Sequence, residues 1–277
     1  SKPTEGRLIA SIFLGGGTPT TLPIYHLEGI LKRCRDTFTL EPNLEITLEA
    51  NPITITRDTL LMIREAGYNR ISIGAQSFHH HELQQLERVH GTEEIFLTAR
   101  HARKAGFDNL SLDLIFGLPG QTSEKWAYSL DQAISLSPEH LSTYNLTIEP
   151  GTAFYAYQAL GLLKLPDDGH QLTLFKQTIQ RLLSSGYKHY EISNFAKPGK
   201  ECSHNINYWK NGDYLGVGAG ASSFFQGIRF KNVNRPSDYI RKVLKDGSAI
   251  EFQEQPDLKT SILNSSRLTS LSPSIEI

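Results

Sequence analysis

Short apolar runs alternate along this chain with longer amphipathic stretches. The runs are rich in Ile, Leu, Val and Thr and are mostly bounded by Gly, Pro or Asn, a pattern that predicts β-strands. The predicted strands are residues 9–14, 45–49, 70–75, 109–115, 141–146 and 189–193. The stretches between them predict helices over residues 24–35, 57–66, 79–86, 93–105, 124–136 and 171–185. Thr56, Thr92 and Thr122 are predicted helix N-caps, and Gly67 is a predicted left-handed C-terminal cap.

This alternation of strand and helix, at a spacing of about 30 residues, predicts βαβ units and a parallel sheet. A continuous series of so many units favours a full or partial (β/α) barrel over an open doubly wound sheet. We therefore expect an α/β fold, a partial TIM-like barrel whose chemistry lies at the C-terminal ends of the strands. From about Lys197 the alternation gives way to a Gly- and aromatic-rich region, and one more helix is predicted near residues 238–245.

The composition is that of an ordinary globular protein. The 277 residues are 39% hydrophobic and 21% charged, with a formal net charge of −1. This balance gives no general attraction to nucleic acid, and no apolar run approaches the roughly 20 residues of a membrane helix. The two cysteines, Cys34 and Cys202, are far apart in sequence, so we expect no disulfide framework and a reducing, cytoplasmic location.

Polar and glycine residues stand where successive predicted strands end. A GGGTP turn (residues 15–19) follows the first strand, and Glu49, Gln76 and Asp113 lie at the ends of later strands. Singly, each has an ordinary alternative, since a glycine turn can be only a tight turn and a carboxylate can cap a helix. Together they would meet at one barrel mouth, where desolvation without partners costs roughly 1–3 kcal/mol per group. The set therefore predicts a polar ligand with an amino acid end and a nucleoside end.

Five motifs, in order along the chain, resemble those of one family. They are GGGTPT (15–20), EANP (49–52), RISIGAQSF (70–78), LDLIFGLPGQT (112–122) and LTIEPGT (146–152). This set resembles the radical S-adenosylmethionine (SAM) family that contains oxygen-independent coproporphyrinogen III oxidase and the heme chaperone HemW. The resemblance extends to about Asn234 and implies the partial barrel of radical SAM proteins.

The resemblance implies a SAM pocket. Backbone groups of the glycine turn would bind the methionine end, polar side chains would hold the methionine and ribose groups, and two hydroxyls would line the adenosine side. The residues at the matching positions are Gly16, Gly17, Thr18, Glu49, Gln76, Arg88, Asp113, Thr147 and Ser222. Without the resemblance, Arg88 is a solvated cation at a helix end. Ser222 stands where HemW relatives commonly carry His, so its assignment departs from the family pattern.

Three segments resemble the HemW branch more than the oxidases: EANP, YEISNFA (190–196) and CSHNINYW (202–209). In the last segment, His204 offers an imidazole able to ligate heme iron, and Tyr208 and Trp209 offer rings that can stack on a porphyrin. The alternative is that Tyr208 and Trp209 are core aromatics and that His204 is a hydrogen-bonded loop residue.

The family holds a [4Fe–4S] cluster on a Cys-x-x-x-Cys-x-x-Cys loop after the first barrel strand. Neither cysteine of this chain matches that loop, so we expect the first strand, the loop and the cluster cysteines upstream of Ser1. We expect residues 1–235 to form an incomplete radical SAM core with five of about six barrel strands. Residues 236–277 are expected to begin a truncated C-terminal helical domain.

Three functions follow as hypotheses. The first is a heme chaperone, with a [4Fe–4S] cluster and SAM in the complete protein, that binds heme and transfers it to an acceptor, a respiratory protein being one candidate. The second is an oxygen-independent coproporphyrinogen III oxidase, which decarboxylates propionate side chains in heme biosynthesis. The third is an inactive fragment. In each case the chain alone is expected neither to bind the cluster nor to cleave SAM.

Overall fold

The computed structural model describes residues 6–256 and confirms the α/β class and the partial barrel. Five parallel strands follow one another in the sheet in chain order. They are β1 (Leu8–Leu14), β2 (Thr39–Ala50), β3 (Arg70–Gln76), β4 (Leu110–Phe116) and β5 (His140–Asn145). All five predicted positions are confirmed, and β2 begins six residues earlier than predicted.

The far edge of the sheet differs from the prediction. The single strand predicted over residues 189–193 is wrong, because this segment contains β6 (Lys188–Glu191) and the turn that leads to β7 (Asn194–Ala196). β7 lies between β5 and β6 and is antiparallel to both, so the sheet has seven strands. The turn between them is stabilised by Glu191 Oε2, which accepts the N–H of Ser193 over 3.3 Å. Burial of Phe195 against the core fixes β7 in the inner position.

Residues 6–202 contain seven α-helices, of which six are predicted, with ends that shift by at most three residues. They are α1 (Ile24–Thr37), α2 (Arg57–Ala66), α3 (His80–Gln85), α4 (Thr92–Lys104), α5 (Ser123–Ser135), α6 (Ala153–Ala159) and α7 (Asp168–Ser184). Thr56 and Thr122 are confirmed as caps, since they accept backbone N–H groups at the starts of α2 and α5, and Gly67 is left-handed at φ 112°. The cap predicted at Thr92 is wrong, because Thr92 is the first residue of α4 and Gly91 is its N-cap. Helix α6 was not predicted, because it is seven residues long and buries no side chain.

The two faces of the parallel strands carry different chemistry. Side chains that point toward the helices are apolar and fully buried, as Leu48, Ile71 and Leu112 are. The alternating positions point into the barrel and are largely polar. They include Thr47, Glu49, Arg70, Ser72, Ser111, Asp113, His140 and Ser142. The apolar face therefore supplies the core, and the polar face surrounds the barrel interior.

A second compact unit begins at Ser203. It contains α8 (Ser203–Trp209), α9 (Pro236–Asp246) and an antiparallel sheet of β8 (Ser222–Phe225), β9 (Ile228–Asn232) and β10 (Ile250–Glu254). Of these elements only α9 was predicted. Contacts divide the chain between Cys202 and Ser203, whereas the domain boundary expected at 235/236 stays a prediction, and residues 257–277 lie outside the described part. Among residues 6–256, no helix is long and apolar enough to cross a membrane.

Candidate functional site

The loops that follow β1 and β2 are joined by a chain of hydrogen bonds. Each loop contains one short 3₁₀ turn that begins with a proline, Pro19 in one and Pro52 in the other. The hydroxyls of Thr20 and Thr54 lie 2.6 Å apart, and Thr54 Oγ1 donates to the carbonyl of Asn51 over 3.0 Å. These contacts hold the glycine turn of the first loop against the second.

Three consecutive glycines allow the first loop to pass close to Glu49. The N–H of Gly16 donates to Glu49 Oε2 over 3.3 Å. A Cβ on Gly15 would lie within 2.7–2.8 Å of the Glu49 carboxylate, so a larger residue would displace it. Gly16 and Gly17 have φ values of 81° and 126°, which residues other than glycine rarely adopt. The turn therefore places backbone beside a carboxylate at a distance that only glycine permits.

Gln76 ends β3 in an uncommon backbone conformation. Its φ is 64°, and the register between β3 and β4 shifts between Ile73 and Gln76. The side-chain amide turns back over Gly74, where an added Cβ would lie 2.8 Å from Nε2. A non-glycine residue held in this region costs about 1–3 kcal/mol. Such strain at the end of a barrel strand is typical of a residue aimed at a ligand.

Asp113 lies in the barrel interior among serine hydroxyls. Ser72 Oγ is within 3.0 and 3.1 Å of the two carboxylate oxygens. Burial raises the pKa of Asp113, and hydrogen bonds from Ser142, Ser72 and, last, Ser111 oppose that rise together with the charge of Arg70. The carboxyl group is thus held in a partly desolvated position that favours a cation or a hydroxyl donor as its partner.

The pKa of Glu49 is also raised by burial and by the neighbouring Asp113. Burial and, less strongly, the charge of Asp113 raise the pKa of Glu49, the hydrogen bond from the Gly16 backbone opposes both, and the net result is a pKa of about 6. Two carboxylates therefore share one region of low polarity, and each disfavours ionisation of the other. A positively charged ligand group would remove this unfavourable interaction.

These side chains line one cavity of about 260 Å³ at the C-terminal ends of the strands. Its lining residues are Gly17, Thr18, Glu49, Ala50, Asn51, Gly74, Gln76, Arg88, Asp113 and Tyr144. Six of the nine residues predicted to bind SAM are in this set, and Gly16 reaches it through its bond to Glu49. Thr147 is exposed in the segment after β5, outside the lining, and Ser222 opens β8 in the second unit. The roles of these residues toward SAM stay predictions.

Two polar lining side chains, Asn51 and Tyr144, are not among the predicted site residues. Asn51 belongs to the EANP motif, and its side chain caps the turn after β2 by accepting the N–H of Ile53 over 3.3 Å. Tyr144 lies two positions beyond Ser142 on the inward face of β5. The alternation of that strand was the signal that identifies Tyr144 as facing the barrel interior.

The predicted heme segment is helical. His204 and Tyr208 lie one turn apart on α8, and their rings meet edge to face with centroids 4.6 Å apart. Tyr208 also meets Tyr214 edge to face at 4.4 Å and is 40% exposed. Trp209 ends the helix and is partly buried. The alternative that His204 is a loop residue is therefore wrong, and an imidazole beside an exposed aromatic ring is the chemistry that this face presents.

The cysteines lie apart from this cavity. Cys34 is partly buried on α1, where burial raises the pKa of its thiol, and Cys202 is buried directly before α8. Among residues 6–256, no group of three or more His, Cys, Asp or Glu side chains is placed to hold a metal ion.

Sequence comparison relates the chain to one group of proteins. Residues 4–133 match the radical SAM superfamily. The chain is 39% identical over 278 residues to the heme chaperone HemW of Escherichia coli, a match that covers 98% of this chain and 72% of that protein. It is 43% identical to HemW of Haemophilus influenzae and 39% identical to HemW of Bacillus subtilis, over 86% of this chain and 62% and 63% of those proteins. The chain thus spans about three fifths to three quarters of the length of these relatives.

Comparison of structures gives a related result. The solved structure of coproporphyrinogen III oxidase (HemN) from Escherichia coli, described as a radical SAM enzyme, matches with a TM-score of 0.80 and 28% identity, covering 96% of this chain and 64% of that one. Elp3 from Methanocaldococcus infernus matches with a TM-score of 0.53 and 18% identity, over 61% of this chain and 44% of that one. The second match supports the fold alone.

Proposed function

Since this chain belongs to the HemW branch of the radical SAM family, we propose that it forms the SAM-binding part of a heme chaperone. In this proposal SAM occupies the cavity at the strand ends, and heme binds at α8. The complete protein passes the heme to an acceptor, for which a respiratory protein is a candidate. The observation that carries the proposal is that Glu49, Gln76, Arg88 and Asp113 line one cavity.

The charges of SAM suit this cavity. Glu49 and Asp113 are partly desolvated and disfavour each other's ionisation. The ammonium and sulfonium groups of SAM are both cationic, so its binding would favour the ionised form of both carboxyl groups. Arg88 supplies a cation for the methionine carboxylate, and Thr147 is assigned to the adenosine side. When bound beside a reduced cluster, SAM supplies the radical chemistry of this family.

The residues of this chain do not fit the [4Fe–4S] cluster of the family. Such a cluster needs several thiolates close together, whereas Cys34 lies on α1 and Cys202 lies more than 160 residues further along the chain, after β7. Cluster binding is therefore assigned to the complete protein and not to the cysteines of this chain.

Heme is proposed to bind at α8 through His204 and the aromatic rings beside it. A neutral imidazole can coordinate heme iron, and the exposed ring of Tyr208 can pack on the porphyrin face. Trp209 adds a large apolar surface at the end of the same helix. Asn207 ties α8 to the segment that follows it, because its side-chain amide donates to the carbonyl of Asp213 over 3.1 Å.

Equilibrium dialysis of the 277-residue chain against labelled SAM tests the first part. We expect saturable binding of one SAM that weakens at least about tenfold in Asp113→Asn, because one charged partner is lost. The matched control is Asp131→Asn, an aspartate of α5 that pairs with Arg181 and does not line the cavity. Equal affinity of the wild type, the Asp113 variant and the Asp131 variant would contradict the proposed pocket.

Titration with hemin, followed by visible absorbance, tests the second part. His204→Ala should remove the band of the coordinated heme. His26→Ala is the control, since His26 is likewise a helical histidine beside a tyrosine ring, with its ring centroid 4.2 Å from that of Tyr25. If both variants bind heme as the wild type does, α8 is not the heme site.

A second function, coproporphyrinogen III oxidase, has one observation in its favour, the TM-score of 0.80 to the Escherichia coli enzyme. The complete protein distinguishes the two functions when it is incubated with coproporphyrinogen III under reducing, anaerobic conditions with SAM. Conversion to a decarboxylated porphyrinogen would support the oxidase. Stoichiometric heme binding without conversion would support the chaperone.

A further inference from the structure

Helix α3 lies in the chain between β3 and the cavity residue Arg88, and it contains a buried carboxylate. Glu82 is 1% exposed, and Glu82 and Leu83 are the two buried residues of this six-residue helix. An isolated helix of this length is not stable in water, so α3 depends on its tertiary contacts. Its position is therefore set largely by one apolar side chain and one carboxylate.

Glu82 Oε2 accepts hydrogen bonds from the loops that follow two neighbouring strands. The hydroxyl of Ser77, the residue directly after β3, donates to this oxygen over 2.5 Å. The side-chain amide of Gln121, in the loop after β4, donates to the same oxygen over 3.2 Å. Both donors are buried residues. One carboxylate oxygen thus joins α3 to the C-terminal ends of β3 and β4.

Each of the two donors is itself fixed by a further hydrogen bond. Ser77 Oγ accepts the N–H of His79, the N-cap residue of α3, over 3.0 Å. Gln121 Oε1 accepts the N–H of Gly117, the residue directly after β4, over 2.8 Å. Neither donor can follow Glu82 freely if the helix moves, so the carboxylate fixes α3 against a rigid support.

A Schellman motif joins Arg88 to the other end of α3. The N–H of Arg88 donates to the carbonyl of Leu83 over 2.9 Å, and the N–H of Glu87 donates to that of Gln84 over 3.0 Å. Glu87 has a φ of 54°, the left-handed conformation that this motif requires. The backbone of Arg88 therefore has a fixed position relative to α3, and its side chain lines the cavity.

The second carboxylate oxygen of Glu82 is buried and unsatisfied. Among residues 6–256, Oε1 has no hydrogen-bond partner. Burial of an unsatisfied polar oxygen is unfavourable, and an apolar side chain of similar size would avoid it. A leucine could fill the same space, but it would join α3 to neither loop. What the carboxylate contributes is therefore the position of the helix.

We propose that Glu82 is a positioning residue for Arg88, which holds α3 against the ends of β3 and β4 so that the guanidinium group meets the carboxylate of SAM. The inference rests on the proposed function, which assigns Arg88 to that carboxylate. Glu82 does not line the cavity and acts on SAM only through Arg88. The loop after β3 keeps a second anchor without Glu82, since the N–H of Phe78 donates to Ser129 Oγ over 3.2 Å. Loss of Glu82 should therefore weaken one contact with the ligand and leave that of Gln76 in place.

Decarboxylated SAM is the ligand that tests this role, because it keeps both cationic groups and the nucleoside but lacks the carboxylate. In equilibrium dialysis we expect Glu82→Leu to bind SAM about fivefold more weakly than the wild type does, and decarboxylated SAM within about twofold of the wild type. Gln84→Leu is the matched control, since Gln84 is exposed on the same helix, and it should leave both affinities unchanged. Equal losses for the two ligands, or no loss for SAM, would overturn the proposal.

Two further variants separate anchoring from a general loss of structure. Glu82→Gln keeps an acceptor oxygen for Ser77 and Gln121 and should bind SAM within about twofold of the wild type. In an Arg88→Ala background, Glu82→Leu should cause no further loss of SAM affinity, because both residues act through one contact. Additive losses, or a Glu82→Gln variant as weak as Glu82→Leu, would contradict the anchoring of Arg88 by these hydrogen bonds.

Hydrogen exchange in the unliganded protein measures the anchoring without SAM. The N–H of Arg88 should exchange at least about fivefold faster in Glu82→Leu and at the wild-type rate in Gln84→Leu. Ser77→Ala removes one donor and keeps the carboxylate, so it should accelerate exchange less, and it replaces Glu82→Leu if that variant does not fold. Unchanged exchange in these variants would show that Glu82 does not hold α3. If the wild type binds no SAM, the proposed function fails, and the exchange rates still decide whether Glu82 anchors Arg88.

Discussion

The backbone N–H of Gly16 donates to Glu49 Oε2 over 3.3 Å and so joins the loop after β1 to the end of β2. The contact satisfies one side of a carboxyl group whose pKa burial raises to about 6. It also depends on Gly15, which has no Cβ to displace the carboxylate. The glycine turn is therefore part of the site because it gives a carboxylate room to approach the backbone.

Gly15→Ala tests this close approach. The new Cβ would lie within 2.7–2.8 Å of the Glu49 carboxylate, which is the end of a flexible side chain and can move away. We expect SAM affinity to fall by about tenfold with little change in stability, because one charged contact is lost while the core is unaffected. Dialysis and urea unfolding measure the two quantities.

Gly29→Ala is the control for that substitution. Gly29 lies inside α1, and a Cβ there meets no atom within 4 Å. It should raise the free energy of unfolding by about 0.5–1 kcal/mol, since alanine favours the helix, and leave SAM affinity unchanged. Equal SAM affinities in the two alanine variants would show that Gly15 has no role in the pocket.

Glu49→Gln should stabilise the unliganded protein at neutral pH. The native carboxyl group has a raised pKa of about 6 against an ordinary 4.5, so the folded state binds more protons between these values. Stability therefore falls as the pH rises through this window, and the neutral amide avoids the loss. We expect a gain of about 1 kcal/mol at pH 8, allowing for partial exposure of the group.

Urea unfolding of the wild type and of Glu49→Gln at pH 5 and pH 8 measures this difference. The gain should shrink as the pH falls from 6 toward 4.5, because protonated Glu49 and Gln carry the same charge. A gain that is independent of pH would mean that ionisation of Glu49 is not its cause. The same variant should bind SAM more weakly, so stability and binding change in opposite directions.

SAM binding should release protons near pH 6. A bound cation lowers the pKa of Glu49 from about 6, so a site that is half protonated in the free protein becomes ionised in the complex. Binding should therefore weaken as the pH falls below 6. Calorimetry at pH 6 in two buffers of different ionisation enthalpy measures the release, which should be smaller at pH 8 because Glu49 is then ionised in the free protein.

S-adenosylhomocysteine is the control ligand for the measurement of proton release. It keeps the amino acid and nucleoside ends but lacks the sulfonium charge. We expect it to release fewer protons at pH 6 and to show a weaker dependence of affinity on pH. Identical proton release for the two ligands would exclude an interaction between the sulfonium and the carboxylates.

Thr178→Val should destabilise the barrel without altering the site. Trp126 is fully buried on α5, and its indole N–H donates to Thr178 Oγ1 over 2.8 Å. Loss of this acceptor leaves a buried donor unsatisfied at a cost of about 1–3 kcal/mol. Thermal unfolding measures the change. Thr173→Val is the control, because the hydroxyls of Thr173 and Thr178 both donate to the carbonyl four residues earlier, but that of Thr173 is exposed.

Much of the first unit could be predicted from the sequence because its signals are local. The apolar period of the strands and the caps at Thr56 and Gly67 depend on neighbours in the chain, and they gave element positions within a few residues. Helix α8 carried no such signal, since it buries no side chain. Strand β7 has three residues and is defined by its pairing with β5, a contact between segments about 50 residues apart.

The sequence by itself determined the strand–helix alternation, the family and which residues stand at the strand ends, because each follows from residue order and side-chain chemistry. Only the tertiary structure decided that Tyr144 joins the cavity and that Glu49 and Asp113 share one desolvated region. It also decided that His140 connects Tyr190 to Ser111. The reason is physical: a pKa and a hydrogen bond between two strands depend on the distances between those strands, which a linear pattern does not contain.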